Sequence, residues 1–378
     1  MPFVDLRPQT GLVRAAVIAD LELLLDSGAF VNGPAVAAFE RAFASACGRA
    51  ACVGVASGLD ALRLALVAVG IEPGDEVVVP AMTFVASFEA VVQAGGIPVP
   101  VDVREDDIGL DVAALEVACG PRTRFVMPVH LYGQLVDVVA LRDVAARHDL
   151  TVIEDACQAH GAARDGIGAG QLGHAAAFSF YPTKNLGAMG DAGAVVTDDE
   201  ALAARVRSLR EHGQTRRYHC EEIGYTARLD TMQALVLTHK LGRLAEWNAE
   251  RARIAHAYSE ALQGVGDLRL PATMPGATHV WHLYTIRTAN PRALADYLTV
   301  RGISTGHHYP QPPHVSPAFA SLGHRVGSLP VAEAVARETL SLPIYPGLTP
   351  AQQEAVASAV REFFAGSSRR VAQEGPRS

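Results

Sequence analysis

The chain places a lysine in a short turn between two apolar runs, and lysine is rare in its composition. Only two of its 32 lysine and arginine residues are lysines, Lys184 and Lys240. Lys184 stands in the middle of FSFYPTKNLGAMGDAGAVVT, residues 178–197. A primary amine can form an imine with an aldehyde, whereas a guanidinium stays protonated and cannot. The sequence therefore singles out Lys184 as a candidate for imine chemistry.

Two further groups of polar residues follow predicted strands. Ser57 and Gly58 open a predicted helix after an apolar run, and Asp155 and Gln158 follow TVIE. In sheets with helices on both faces, ligands bind at the carboxyl ends of the strands, and N–H groups at a helix start bind phosphate. A phosphate site, a carboxylate and a lysine at one sheet edge predict pyridoxal 5′-phosphate (PLP). The lysine would form the Schiff base, and the carboxylate would keep the pyridine nitrogen protonated.

Each of these residues has a simpler interpretation when it is taken alone. Ser57 could only cap its helix, and Asp155 could be a helix N-cap. Lys184 could be a solvated charge on a loop. Phe84, after the second strand, could lie in the core or against a flat ring. Their joint position at strand ends favours the functional interpretation.

Residues 168–173, GAGQLG, match the GxGxxG fingerprint of dinucleotide-binding sites. That fingerprint needs a strand directly before it and a helix after it. Here AHGAARDGI precedes the motif and a strand follows it, so we reject a dinucleotide site. No GxxxxGK[ST] loop occurs in the sequence, which excludes the common P-loop nucleotide hydrolases.

The composition predicts a cytoplasmic globular protein of more than one domain, with 378 residues, 49% apolar and 19% charged. No apolar run reaches the length of a membrane span, and the N-terminus lacks a signal region. The net charge of −8 without a lysine-rich run argues against nucleic acid as a partner. Five cysteines without a CxxC fit reduced thiols, and the 14 histidines show no zinc spacing, so no metal is predicted.

Seven continuous apolar runs separated by helical patterns predict an α/β fold with a mainly parallel seven-stranded sheet. The predicted strands are 51–57, 76–82, 97–103, 124–132, 151–157, 176–182 and 193–199.

The rest of the chain predicts a smaller C-terminal α+β domain. A long helix is expected over about 229–263, followed by a strand in WHLYTIR and a helix in RALADYLTVRG. We expect a large PLP-binding domain over 1–245, whose N-terminal segment packs on the small domain, and a small domain over 246–365. Residues 366–378 have almost no apolar content and predict a disordered tail.

Taken together, these segments resemble the sugar aminotransferases of the DegT/DnrJ/EryC1/StrS family, PLP enzymes with the aspartate aminotransferase-like fold called fold type I. The resemblance covers nearly the whole chain. It rests on the stretches FVDLRPQ, VASGLDALRLAL, VVVPAMTFVAS, MPVHLYGQ, IEDACQAHGA, FSFYPTKNLGAMGDAGAVVT, GYTARLDTMQA, HLYTIR and HHYPQPPH.

The resemblance implies a role for each matching residue. Lys184 would be the Schiff-base lysine, Asp155 the partner of the ring nitrogen, and Gln158 a hydrogen bond to the ring hydroxyl. Phe84 would stack on the ring. The phosphate would be bound at the start of the helix that follows the first strand, by Ser57, Gly58 and Leu59, and by Ser179 in the sixth strand.

The resemblance also implies a homodimer with shared active sites. In the family, the segment matching GYTARLD crosses the dimer interface, where an asparagine contacts the phosphate of the neighbour's cofactor. Here that position is Thr226, a shorter donor. In the branch that acts at C3 of the sugar, Tyr181 and the pair His308 and Tyr309 line the substrate site. Arg217 matches a basic residue that also contributes there.

The function implied is transfer of the amino group of L-glutamate to a nucleotide-linked, dTDP-type, 3-keto-6-deoxyhexose in deoxyaminosugar biosynthesis. A run resembling YPTKNLGAMGDAG is typical of the C3 branch, whereas enzymes acting at C4 more often carry GEGG after the lysine. Amination at C4 of a 4-keto-6-deoxyhexose is the alternative. A PLP-dependent sugar dehydratase is disfavoured, because such relatives carry histidine where this chain has Lys184.

Overall fold

The candidate site is built on a seven-stranded sheet. The computed structural model describes residues 1–373. Its strands are β1 (Ala51–Val55), β2 (Glu76–Pro80), β3 (Ile97–Val101), β4 (Thr123–Val126), β5 (Thr151–Asp155), β6 (Ala163–Arg164), β7 (Ile167–Gly168), β8 (Ala175–Ser179), β9 (Gly193–Thr197), β10 (Gln214–Arg216), β11 (His219–Cys220), β12 (Ala277–Thr278), β13 (Tyr284–Arg287) and β14 (Thr339–Leu342). Its α-helices are α1 (Arg7–Ser27), α2 (Pro34–Cys47), α3 (Gly58–Ala68), α4 (Ala86–Gln93), α5 (Val112–Ala118), α6 (Val138–Arg147), α7 (Glu200–Leu209), α8 (Thr231–Leu241), α9 (Leu244–Leu262), α10 (Pro291–Val300), α11 (Pro330–Glu338) and α12 (Pro350–Gln373).

The large sheet has the strand order β1-β9-β8-β5-β4-β2-β3. Strand β9 runs antiparallel to both of its neighbours, and the other adjacent pairs are parallel. This confirms the predicted mainly parallel sheet of seven strands. Six of the strands end about two residues earlier than the apolar runs suggested, and the predicted site residues lie at the last positions of these strands or in the segments that follow.

Both faces of this sheet are buried. In β2, Val77 and Val79 pack into one core cluster and Val78 into the other, because side chains alternate along a strand. Helices α3, α4 and α7 cover the first face, and α2, α5, α6 and α8 cover the second. Burial on both sides explains why the strands are apolar throughout and do not alternate with polar residues.

The long helix predicted over 229–263 is two helices. Helix α8 ends at Leu241 and α9 begins at Leu244. Gly242 lies at the break, where glycine weakens a helix because its backbone loses more freedom on ordering than that of other residues. The helical periodicity of the flanking residues hid this break.

The strand predicted over 124–132 is also shorter than expected. Strand β4 ends at Val126, and Leu131–Gly133 forms a short 3₁₀ turn in which Tyr132 has a positive φ of 59°. Pro128 has no N–H to donate to a sheet ladder, which favours the end of the strand. The turn brings Tyr132 to the candidate site.

A third core cluster lies in the C-terminal part of the chain. It contains residues of α9, α10 and α12 and of the antiparallel pair β13–β14, and Met1 and Val4 pack against it. The domain boundary at 245 stays a prediction. The predicted disordered tail needs correction over 366–373, because α12 continues to Gln373; alanine, arginine and glutamine are good helix formers. Residues 374–378 of that tail lie outside the described residues.

Among residues 1–373, no helix is both long enough and apolar enough to cross a bilayer. The same residues contain no group of three or more histidine, cysteine, aspartate or glutamate side chains arranged to hold a metal ion.

Candidate active site

One cavity of about 350 Å³ at the carboxyl edge of the large sheet gathers most of the predicted site residues. It lies where β1, β5 and β8 end and where the C-terminal part of the chain meets the sheet. The predicted residues that line it are Ser57, Gly58, Leu59, Phe84, Asp155, Gln158, Ser179, Tyr181, Lys184, His308 and Tyr309.

The phosphate end of the cavity is the N-terminus of α3. Gly58 and Leu59 are its first two residues, so their N–H groups have no partner within the helix and carry its positive dipole end. A Cβ on Gly58 would lie 2.6 Å from the Ser179 Cβ and 2.9 Å from the Cys157 Sγ. Only glycine therefore fits here. The helix-cap interpretation of Ser57 is also confirmed, because its Oγ accepts the Asp60 N–H over 3.0 Å at the start of α3.

Asp155 is buried and held in a fixed orientation. The Ser87 hydroxyl donates to its Oδ2 over 2.7 Å, and the Cys157 N–H donates to its Oδ1 over 3.2 Å. Thr83 lies within 2.7 Å of the same serine hydroxyl. The helix-cap alternative for Asp155 is wrong, because turns and short strands follow β5 and no helix begins there. The carboxylate points into the cavity from the end of β5.

Gln158 is oriented by two hydrogen bonds of opposite sense. Its Oε1 accepts the Tyr132 N–H over 2.7 Å, and its Nε2 donates to the Tyr309 hydroxyl over 3.0 Å. The first bond fixes which amide atom is the donor. The Tyr132 hydroxyl in turn donates to the His308 carbonyl. Gln158 therefore presents N–H groups to the cavity.

Lys184 sits in a tightly bonded loop. The backbone N–H of Lys184 donates to the Tyr181 carbonyl over 2.8 Å, and the backbone N–H of Ala188 donates to the Phe180 carbonyl over 2.7 Å. Helix α8 holds the far side of this loop through Lys240, whose Nζ donates to the Gly187 carbonyl over 2.6 Å.

The amine of Lys184 is kept available. Burial lowers the pKa of Lys184, while Cys157 and Asp155 act in the opposite direction. Among the side chains that the structure describes, those of residues 1–366, its Nζ has no hydrogen-bond partner. The solvated-loop alternative is therefore wrong, because this amine lines a cavity and is partly removed from water.

Phe84 lies at the rim of the cavity. Half of its side-chain surface, 50%, is exposed, and its ring centroid is 5.3 Å from that of Tyr309. The core alternative for Phe84 is therefore wrong. An open aromatic face at this position leaves room for a flat ring beside it.

Two predicted residues lie elsewhere within this chain. Thr226 bonds His212 Nε2 over 3.2 Å, and Arg217 packs over the ring of Tyr218 at 5.0 Å in the β10–β11 hairpin. Neither lines the cavity of its own chain. A contribution from these residues requires a second copy.

The glycine motif GAGQLG binds an internal carboxylate. The N–H groups of Gly170, Leu172 and Gly173 donate to the Glu154 carboxylate over 2.8–2.9 Å, and His130 lies 3.0 Å from the same group. Burial opposes ionisation of Glu154, but these hydrogen bonds outweigh it and leave its pKa below the usual value. The motif is thus an anion nest for the residue that precedes Asp155, which supports rejection of a dinucleotide site.

Ser87, Tyr132 and His282 were not among the residues predicted for the site. His282 lines the cavity, and its Nδ1 lies 3.2 Å from the Asn185 Oδ1. In the sequence, His282 was only an isolated histidine without cysteine partners. Asn185, which directly follows Lys184 in the sequence, could have indicated a polar partner near the lysine. Nothing in the sequence spacing indicated that this partner is His282.

The cavity fits PLP. The N-terminus of α3, where only glycine fits at position 58, offers N–H groups to a phosphate. The buried carboxylate of Asp155 lies in the same cavity. The Lys184 amine, which has no hydrogen-bond partner in residues 1–366, can condense with an aldehyde there, and Phe84 at the rim can cover the ring.

The comparisons with known proteins agree with this geometry. The model of the DegT/DnrJ/EryC1/StrS aminotransferase family matches residues 13–361. A dTDP-3-amino-3,4,6-trideoxy-alpha-D-glucose transaminase of Streptomyces venezuelae is 48% identical over 363 residues, which cover 96% of each chain.

Two solved structures extend the likeness to the fold. The crystal structure of S. venezuelae DesV in complex with a ketimine intermediate superposes with a TM-score of 0.94 at 48% identity, covering 96% of this chain and 98% of that one. The structure of NtdA from Bacillus subtilis with bound cofactor PMP gives 0.89 at 30% identity, covering 97% and 85%. The chain therefore belongs to the DegT/DnrJ/EryC1/StrS aminotransferase family, with the fold type I architecture and PLP as its cofactor.

Proposed function

We propose that this chain transfers the amino group of L-glutamate to C3 of a nucleotide-linked 3-keto-6-deoxyhexose carried on dTDP. The observation that carries this proposal is the cavity that combines Lys184, Asp155 and Gln158 at the N-terminus of α3. The S. venezuelae relative supports the position on the sugar, since its name describes a 3-amino sugar on dTDP.

The cofactor supplies an aldehyde for amino-group exchange and a ring that accepts the electron pair left when a proton leaves the carbon next to nitrogen. Gly58 and Leu59 would bind the phosphate through their N–H groups, together with the Ser179 hydroxyl. Asp155 would hold a proton on the ring nitrogen, and the hydrogen bond from Ser87 keeps that carboxylate in place.

Lys184 would take the proton from the substrate carbon and return it to the carbon on the other side of the shared nitrogen. Burial lowers the pKa of this amine, which favours the neutral base at working pH. The same residues act in reverse order when the keto sugar receives the amino group. The amino group is stored between the two halves, so ping-pong kinetics are expected.

The substrate contacts are proposed at the open side of the cavity. Tyr181 is half-exposed there, and Tyr309 keeps its hydroxyl proton free because its oxygen accepts from Gln158. His308 is held by Ser341 through its Nδ1 over 2.9 Å. Arg217 would reach the substrate from a partner subunit.

A homodimer is part of this proposal. Thr226 and Arg217 lie outside the cavity of their own chain, and exposed apolar side chains occur at or close in sequence to the bridge between Val31 and Asp230 and in the loop that bonds to α8. These side chains are Phe30, Val31, Met189 and Met232, each 43–52% exposed. A second copy that covers this face would place GYTARLD at the neighbouring site.

The five free cysteines fit a reducing cytoplasm.

A half-reaction screen tests the proposal. The pyridoxamine phosphate form of the enzyme is mixed with dTDP-3-keto-4,6-dideoxyglucose or with dTDP-4-keto-6-deoxyglucose, and the return of the visible absorbance is followed. We expect reaction with the 3-keto sugar. Preference for the 4-keto sugar would establish the C4 alternative. Release of more than one equivalent of 2-oxoglutarate per site from glutamate, only when keto sugar is present, separates a transaminase from a dehydratase.

A further inference from the structure

A chain of hydrogen bonds fixes the amide of the residue that follows Lys184. Asn248 Nδ2 donates to the His160 carbonyl over 2.8 Å, so the Oδ1 of Asn248 is the atom that faces Asn185. Asn185 Nδ2 donates both to this oxygen and to the Val280 carbonyl, each over 2.8 Å. Because both of these neighbours can only accept, the atom of Asn185 that faces them must be the amide nitrogen and not the oxygen. Its Oδ1 therefore faces His282.

This arrangement fixes the tautomer of His282. The Asn185 Oδ1 can only accept, so the His282 Nδ1 at 3.2 Å must carry the proton. A neutral imidazole has a single N–H, which leaves Nε2 with a free lone pair. Within residues 1–366, whose side chains are described, this Nε2 has no hydrogen-bond partner, and the side chain lines the cavity.

The surroundings of His282 keep the ring neutral. Burial holds the pKa of His282 well below its usual value, and the charges of Lys184 and Arg251 act in the same direction. His308 and His160 also face it and add to this effect. Arg251 is fully buried and donates to the carbonyl of His282 itself over 3.3 Å. The ring can accept a hydrogen bond, but it resists taking up a proton.

The donor that matches this acceptor is the amine of Lys184. Both side chains line the same cavity, and Asn185 ties the ring to the loop that carries the lysine. We propose that His282 is a positioning residue, whose unprotonated Nε2 accepts a hydrogen bond from the Lys184 amine once that amine has been released from the cofactor.

The proposed hydrogen bond would hold the Lys184 amine in position without placing a negative charge beside it. A carboxylate in this place would hold the lysine as an ammonium ion, whereas a neutral nitrogen positions the amine and leaves it able to take and return a proton. This inference rests on the proposed function for the reacting groups. Since Lys184 acts in both half-reactions, its partner must affect both.

The tautomer can be measured without turnover. Cofactor-free protein labelled with ¹⁵N-histidine is examined by NMR at pH 6, 7 and 8, and the His282 signals are assigned by their loss in His282→Gln. We expect a protonated Nδ1 and an unprotonated Nε2 throughout. A protonated Nε2, or an imidazolium in this range, overturns the proposal.

Single-turnover kinetics test the role. The rates with L-glutamate and with dTDP-3-keto-4,6-dideoxyglucose are measured separately for His282→Phe, which keeps a ring but has no nitrogen. We expect both rates to fall by a similar factor of about 2 to 10, the worth of a hydrogen bond between neutral groups. His282→Gln, which retains an acceptor, should recover part of the loss. A loss in one half-reaction alone would make His282 a substrate contact, and no loss would leave it without a role; either result overturns the proposal.

His279 provides the matched control. It is also buried with its pKa lowered to about 3 by burial, and it stacks on Trp281 at 3.8 Å, but it lines a neighbouring cavity. His279→Phe should leave both rates near wild type. Failure of the proposed function appears in the wild-type enzyme as absence of reaction with the keto sugar. The NMR result remains decisive even if His282→Phe does not fold.

Discussion

Lys240 donates a hydrogen bond from its Nζ to the carbonyl oxygen of Gly187 over 2.6 Å, so the second lysine of the chain holds the loop of the first. The side chain is only 5% exposed, and no carboxylate accompanies it in the described part of the chain. Gln233, on the same helix, accepts the Met189 N–H over 2.8 Å. Two side chains of helix α8 therefore bond to the backbone of the loop that carries Lys184.

Burial lowers the pKa of Lys240 to about 8, and this predicts a pH-dependent stability. The unfolded lysine titrates near its ordinary value of about 10.4, so the unfolded chain binds more protons between pH 8 and 10. The buried charge therefore costs stability below pH 8, and this cost disappears as the pH rises toward 10. Relative to Lys240→Met, the wild-type free energy of unfolding should rise by about 1–2 kcal/mol from pH 7.5 to 9.5.

Denaturant unfolding of the cofactor-free proteins measures this difference. Arg243→Met, at an exposed surface pair with Glu246, is the control, because arginine does not titrate in this range. A wild-type minus Lys240→Met difference that is independent of pH would contradict the buried charge.

Lys184→Arg should abolish turnover and the visible absorbance of the lysine-bound cofactor. The guanidinium stays protonated and cannot condense with an aldehyde. Circular dichroism and cofactor-free melting should stay near wild type, because the loop is held by backbone bonds that the substitution leaves intact. Ordinary turnover in this variant would reject Lys184 as the Schiff-base residue.

Asp155→Asn should bind PLP but slow the half-reaction with glutamate by about 100-fold or more, with little change in glutamate affinity. A neutral amide cannot stabilise a protonated ring nitrogen. Ser87→Ala is the matched change, since it removes the 2.7 Å hydrogen bond to Asp155 and keeps the carboxylate. Its loss should be smaller, about tenfold. A near-normal rate for Asp155→Asn would leave that residue a purely structural role.

The anion nest predicts a large effect at Glu154. In Glu154→Gln the amide NH₂ faces donors whichever way it turns, since each carboxylate oxygen accepts at least one loop N–H. We expect a loss of about 2–4 kcal/mol in the free energy of unfolding. Glu116→Gln, at an exposed pair with Arg147, should change it by less than about 0.5 kcal/mol. Equal stabilities of the two variants in urea would refute this account of the motif.

The strands could be predicted from the sequence because burial on both faces makes each an apolar run that needs no alternation. The side chains just after those runs could be predicted for the same reason. The bond between Ser87 and Asp155 could not be, because 68 residues separate them and only the packing of α4 against the sheet brings them together. Similarly, the link between Asn185 and His282 depends on how the C-terminal part of the chain meets the catalytic loop.

The last prediction concerns the shared site. Thr226 lies 3.2 Å from His212 and outside the cavity of its own chain, so it can contribute only to a partner's site. In Thr226→Trp homodimers both sites would be obstructed, and in Lys184→Ala homodimers both would lack the amine. A mixed dimer would combine one intact Lys184 with one intact Thr226 at a single site. Equal mixing after dissociation should therefore recover about one quarter of wild-type activity.

Native mass spectrometry verifies that mixed dimers have formed, and each variant incubated alone provides the control. The recovered activity should scale with the fraction of mixed dimers, because neither homodimer contributes. Verified mixed dimers without activity would place Thr226 outside the site. An active wild-type monomer at assay concentration would show that one chain builds the whole site by itself.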